Sequence, residues 1–332
     1  MSGLKSNMGA IARMGRQAVG KTAEEVLQNA GLDYTVKMDN IFTTEGKQVR
    51  NKFMRTYRSD NDLTLGVVSA KYKPCQNIDM LNIGASLVKN DELEWDRIGS
   101  THNGEKFMAS FKLPDSFRID GWDDIEQYMY MINSHDGSTG VRFLPANMRI
   151  FCSNQFSALN SSLKRAGINA NDLVVRHSHI MDGNLEKVRH ALGKIDKVNQ
   201  HFADTAENLL EVQMDEVERV QYYIETLGLA GKKKLVNKKK RSKDYNPFGL
   251  TTRGQNTLSK VIAIEQQATN STGNMADSAW QAFNTVTEYI DHQWTYNADG
   301  TSNAKRVESA IMGTGQRTKN KAWDAVVARL VA

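Results

Sequence analysis

The chain has 332 residues, 40% of them hydrophobic and 24% charged, with a formal net charge of +5. This ordinary globular composition supports a core of its own and excludes general disorder. No apolar run approaches the roughly 18 residues that cross a bilayer, Met1–Gly15 lacks a leader's hydrophobic stretch, and Cys75 and Cys152 have neither zinc-site nor disulfide spacing, so a cytoplasmic protein with reduced thiols, no metal and no cofactor is expected.

In chain order, residues 1–21 read as a flexible lead-in rich in small and basic residues. Thr22-Ala23-Glu24-Glu25 is a capping box that starts a helix running to about Ala30, and Gly31 supplies its left-handed stop. Two extended segments between Tyr34 and Tyr57 flank Glu45-Gly46-Lys47 as a hairpin, and Leu63–Tyr72 is a third strand. Ile78–Val88 has helical spacing, while Trp95–Phe111 forms a hairpin turning at His102-Asn103-Gly104. A turn or short helix is expected over Asp120–Glu126, strands over Tyr128–Asn133 and Gly140–Phe151, a helix over Gln155–Ala166 and a last strand over Leu173–His179. Connections this short favour an antiparallel sheet.

From Asn184 to Leu229 an apolar stripe runs from Leu185 through Val198, Phe202, Ala206 and Leu209 to Leu227, giving one long helix or two stacked ones. It packs on its own sheet or forms a seam between subunits. Helical patterns return over Thr257–Gln267, Ala276–His292, Asn303–Met312 and Asn320–Leu330. The expected fold is therefore α+β, a mainly antiparallel sheet flanked by long helices with an all-helical C-terminal third. Its divisions are a core over 22–229, a basic loop over 230–252 and a helical region over 253–332 packed on that core.

The basic loop is the clearest partner-facing feature. Lys232, Lys233, Lys234, Lys238, Lys239, Lys240, Arg241 and Lys243 occur together with no acidic residue among them, and removing these eight from the net charge of +5 leaves −3 for the rest. Such a segment releases counterions from a phosphate backbone and binds it without reading bases. Phe107, Phe111, Tyr128, Tyr130 and Phe143 fall on the sheet and mostly read as core. A solvent-lined face carrying them with Lys106, Lys112, Arg142 and Arg149 would make a single-strand platform.

Three other motifs compete. Gly15–Thr22 fits the phosphate-loop pattern G-x-x-x-x-G-K-T, but Met8–Met14 is a poor strand to precede it and Thr22 is needed as a helix cap. Asn133-Ser134-His135-Asp136-Gly137-Ser138 groups acid, base and ligand types at a strand end, and its Asp-Gly with flanking serines equally suits a tight turn. Arg176 and His177 lie on the last strand, with His177 and His179 on one face, and structural histidines are the commoner outcome.

Several stretches together resemble the phage/plasmid-like protein family, whose shared domain has no established function. They are Thr22–Glu25 leading to Ala30-Gly31-Leu32-Asp33-Tyr34, then Asn133–Ser138, Arg149-Ile150-Phe151-Cys152-Ser153-Asn154, Arg176-His177 and Ala282–His292. The resemblance implies a mobile-element setting in which handling DNA is a frequent task, and it does not carry the basic loop. The leading expectation is a non-enzymatic nucleic-acid-binding protein acting on single-stranded DNA, in recombination or strand annealing, as a homo-oligomer. The alternatives are a protein-interaction or host-modulating role through the apolar stripe, and a hydrolase using the 133–138 loop with His177.

Overall fold

The computed structural model describes residues 15–49, 52–86, 94–119, 123–149, 154–157, 163–164, 167–177, 190, 193–230, 248–271, 275–294, 308–310 and 313–331. The lysine-rich segment Lys232–Lys243, Cys152, His179 and the N-terminal part of the apolar stripe lie outside the described residues. The fold is α+β with antiparallel sheets, and its C-terminal part is helical.

The chain opens with a two-residue edge strand, β1 (Arg16–Gln17), paired antiparallel with β5. Helix α1 (Ala23–Ala30) is capped by Thr22, whose hydroxyl accepts from the Glu25 amide at 3.2 Å, while the Glu25 carboxylate accepts from the Lys21 amide at 2.7 Å. It stops at Gly31, whose φ of 63° no side chain obstructs. Strands β2 (Val36–Asn40), β3 (Phe53–Arg58) and β4 (Thr64–Ser69) form a three-stranded antiparallel sheet, with the expected turn around Gly46 joining the first two.

After α2 (Asn77–Ser86), a second antiparallel sheet follows: β5 (Glu94–Thr101), β6 (Lys106–Ile119), β7 (Asp123–Ser134), β8 (Val141–Arg149), β9 (Asn154–Ser157) and β10 (Val174–Val175). Its order is β1-β5-β6-β7-β8-β10, with β9 also paired to β8. The β5–β6 turn uses Asn103 at φ 60° and Gly104 at φ 115°.

Two expectations are corrected. The stretch from Asp123 to Glu126 is not a turn or helix but the start of β7, paired through Ile119↔Asp123 and Ser116↔Glu126. The helix expected from Gln155 begins instead as β9, because Asn154–Ser157 lies in register along the end of β8. Short apolar runs carry no decisive period, so pairing with an open strand overrides local preference.

One face of the large sheet buries Phe107, Ala109, Phe111, Met129, Met131 and Phe143 in a core shared with α1 and α2. The alternate residues Met108, Tyr128, Tyr130 and Ile132 form a cluster on the opposite face. The far end of the β6–β7 hairpin carries Ile119 and Ile125 into a separate helical core.

That core is built by α3 (Ile195–Glu211), α4 (Glu216–Leu227), α5 (Thr252–Glu265), α6 (Ala279–Glu288) and α7 (Thr314–Val327). Over the described residues from Ile195 on, the stripe forms two helices, broken where Asp215 caps α4 in a reciprocal box with Glu218. Its residues Val198, Phe202, Ala206 and Leu209 are spent on the chain's own interior. Phe202 stacks on Trp323 at 5.1 Å, and Phe283 meets Trp323 edge-on at 5.0 Å.

Candidate functional site

The loop between β7 and β8 holds the expected polar cluster, and its groups face inward. Asn133 donates from Nδ2 to the Cys75 carbonyl at 2.8 Å, and His135 Nε2 meets Asn77 Oδ1 at 2.9 Å. The His135 carbonyl accepts from the Thr56 hydroxyl at 2.7 Å, and its amide donates to Glu105 at 2.7 Å. Ser134 closes the loop on itself through the Thr139 carbonyl and amide, at 2.6 and 3.0 Å. Asp136 accepts from the Ser138 amide at 2.9 Å, beside Gly137 at φ 76°, which is the turn chemistry of an Asx motif.

The loop is clamped between the two sheets. A Cβ on Gly66 of β4 would stand 2.5 Å from the Asp136 Cα, so only glycine admits this approach. Tyr72 bonds the Ser134 carbonyl at 2.7 Å and lays its ring 4.6 Å from that of His177, whose Nδ1 meets the Lys73 carbonyl at 3.2 Å. His135 and His177 are therefore gathered beneath one loop, while Arg176 is exposed beside it.

Burial first, and then the nearby charge of His177, push the His135 pKa down to about 3; burial also lowers that of His177. Burial, with Asp79 adding, raises the Cys75 thiol to about 12. These are neutral groups in a packed interior. An acid–base pair working near neutral pH needs the opposite tuning. Among the described residues no group of three or more His, Cys, Asp and Glu gathers as a metal site.

The other expected surfaces change in the same direction. Phe107, Phe111, Tyr128, Tyr130 and Phe143 are all buried, so the single-strand platform on the sheet does not form. Lys106 pairs with Glu308, and Lys112 with Glu126 at 2.6 Å. Arg142, half-buried, donates to the Thr139 hydroxyl at 2.6 Å, and Arg149 sits at the end of β8. At the phosphate-loop match, Gly15 precedes an edge strand and Thr22 is a helix cap. The Lys21 amide, which the motif would turn toward phosphate, is taken by the Glu25 carboxylate.

An open cleft lies elsewhere, between the end of α4 and the start of α5. It encloses about 290 Å³ and is lined by Gly228, Thr251, Arg253, Thr257, Tyr289 and Trp294, among others. Two residues next to it, Ala230 and Leu250, pair as an antiparallel bridge, and the lysine-rich segment lies between them in the sequence. Tyr289 begins a π-helical turn, Tyr289–Gln293, that continues α6, and Trp294 caps its end in an extended conformation. The Trp294 amide donates to the Tyr289 carbonyl at 2.8 Å, and the two rings stack at 6.3 Å with 29° between planes. Sequence reasoning passed over this pair because a spacing of five matches no α-helical face.

An antiparallel α+β protein with its polar loop turned inward is the class these features define. The chain belongs to the family described as a domain of unknown function (DUF932), whose model matches residues 64–311. That span takes in β4, the β7–β8 loop, the lysine-rich segment and the π-helical turn, and leaves α1 and α7 outside. No curated protein and no solved structure matches the chain. No described helix is long and apolar enough to cross a membrane.

Proposed function

We propose that this protein is a phage- or plasmid-borne single-stranded DNA-binding protein that grips phosphate through Lys232–Lys243 and serves recombination or strand annealing as a homo-oligomer. The observation that carries the reading is the segment itself: eight cations without an acid, on a chain otherwise net −3. Ala230 and Leu250, which stand on either side of it in the chain, pair as a bridge. The sheet lends little competing charge, since Lys106 and Lys112 are paired internally and Arg142 is half-buried. Lysines on one segment contact phosphates without reading bases, so the binding is salt-sensitive and indifferent to sequence.

The test is anisotropy of labelled single-stranded and duplex DNA across a salt series, with a variant carrying serine at all eight basic positions. The single strand is expected to bind more tightly than duplex, with an affinity that falls steeply with salt. The variant loses on the order of a hundredfold or more at about 0.1 M salt and flattens the slope. Absent binding at low salt, or binding unchanged in the variant, removes the reading. Sizing with and without oligonucleotide measures the assembly.

A further inference from the structure

We infer that the cleft between α4 and α5 is a base-binding subsite, in which an unpaired nucleobase of the strand held by the lysine-rich segment stacks on the Tyr289–Trp294 pair. The inference rests on the nucleic-acid reading above and adds to it a site for the base.

Three observations converge. The first is the aromatic wall. Continuing α6 as a regular helix would turn residues five apart to different sides, but a π turn brings residue i beside i+5. Here it sets Tyr289 and Trp294 nearly parallel at the edge of the helical core, each only partly buried. The turn is anchored from beneath by Asp291, wholly buried and ion-paired with Lys319 of α7, and by Ile290, which packs over Gly315. The rings are thus set on a rigid footing.

The second observation is the charge of the opposite wall. Among the described residues no acidic side chain lines the cleft, and Arg253 stands exposed with no ion pair to any of them. Arg253, Thr257 and Lys260 follow one another at helical spacing along α5, all with solvent access, and no acidic residue occurs between Thr251 and Ile264. The third is position. The cleft is bounded by Leu229 and Thr251, the immediate neighbours of the bridge from which the lysine-rich segment departs. The volume of the cleft suits one flat ring. Stacking on an aromatic face tolerates any base, in keeping with binding that ignores sequence.

The experiment compares full-length protein binding to labelled oligothymidylate and to an abasic oligomer of equal length, which keeps the phosphates and lacks the bases. The wild-type protein is expected to favour oligothymidylate by on the order of tenfold. Trp294→Ala brings that affinity down to the abasic level, Trp294→Phe retains most of it, and neither changes abasic binding or its salt slope. Thr257→Phe, which fills the cleft from the surface of α5 without entering the core, acts like Trp294→Ala and guards against a folding defect. Equal wild-type affinity for the two oligomers overturns the subsite and leaves the lysine reading standing. So does an equal loss on both oligomers in the Trp294→Ala and Thr257→Phe variants. Failure of both oligomers to bind at low salt removes both readings together.

Discussion

The β7–β8 loop and the π-helical turn both interrupt regular elements, yet they use their side chains in opposite ways. The loop gathers Asn133, Ser134, His135 and Asp136 and turns Asn133 Nδ2, the Ser134 hydroxyl, His135 Nε2 and Asp136 Oδ1 onto neighbouring backbone and side chains, while the buried Asn133 Oδ1 and His135 Nδ1 find no partner among the described residues. The turn aims its polar group inward, Asp291 onto Lys319, and leaves two aromatic rings at the edge of an open cleft. A cluster of reactive residue types can therefore be a cross-link between sheets, while an unremarkable stretch of helix supplies the accessible surface.

Removing one partner of the buried pair tests the footing of the turn most severely. Lys319→Met takes from the buried Asp291 its ion-pair partner, in a core where Lys319 itself is 1% exposed. The expected loss is about 3–5 kcal/mol in urea unfolding, partly recovered when Asp291→Asn is added. Unchanged stability would mean that the pair does not hold the turn.

A smaller effect is expected at the clamp on the loop. Gly66→Ala forces the Asp136 backbone away from β4 and costs about 1–3 kcal/mol by the same measurement. A silent substitution would show that the sheets do not close on the loop.

The loop also sets a pH dependence. His135 has a folded pKa of about 3 against an ordinary 6.5, so between these values the unfolded chain takes up a proton that the folded chain refuses. Its contribution is complete above pH 6.5 and is lost as the pH falls toward 3, at about 1.4 kcal/mol per pH unit, and His177 acts in the same direction. His135→Gln should flatten thermal stability measured from pH 7 down to pH 5, which a catalytic role alone would not require.

The smallest effect separates the phosphate-loop pattern from the cap. Thr22→Ala should cost about 1 kcal/mol through loss of the bond to the Glu25 amide. Calorimetry with ATP and magnesium should register no binding in either protein. ATP binding that vanishes in the variant would reinstate the nucleotide site.

Much of the fold was legible where local chemistry is decisive. The helix cap at Thr22, the left-handed stop at Gly31 and the turn at Asn103-Gly104 each follow from a few adjacent residues and occur as expected, with Glu25 closing on the Lys21 amide instead of that of Thr22. Asp123–Glu126 and Gln155–Ser157 were misjudged because each is held by a partner strand, not by its own preference. The same division runs through the sites. The residue types of the 133–138 loop were conspicuous, but its partners Thr56, Tyr72, Cys75 and Asn77 come from other elements and carry no signal of their own.

The sequence by itself determined the alternation of strands and helices, the helix ends and the isolation of the positive charge in one segment. All of these depend on composition and on neighbours within a few positions. Tertiary structure alone decided which polar groups are consumed, which aromatics are only partly buried, and that Ala230 and Leu250, which flank the charged segment in the chain, meet beside a cleft. Each of those outcomes depends on what stands opposite a side chain after packing, and hydrogen-bond satisfaction and burial are properties of the contact between elements.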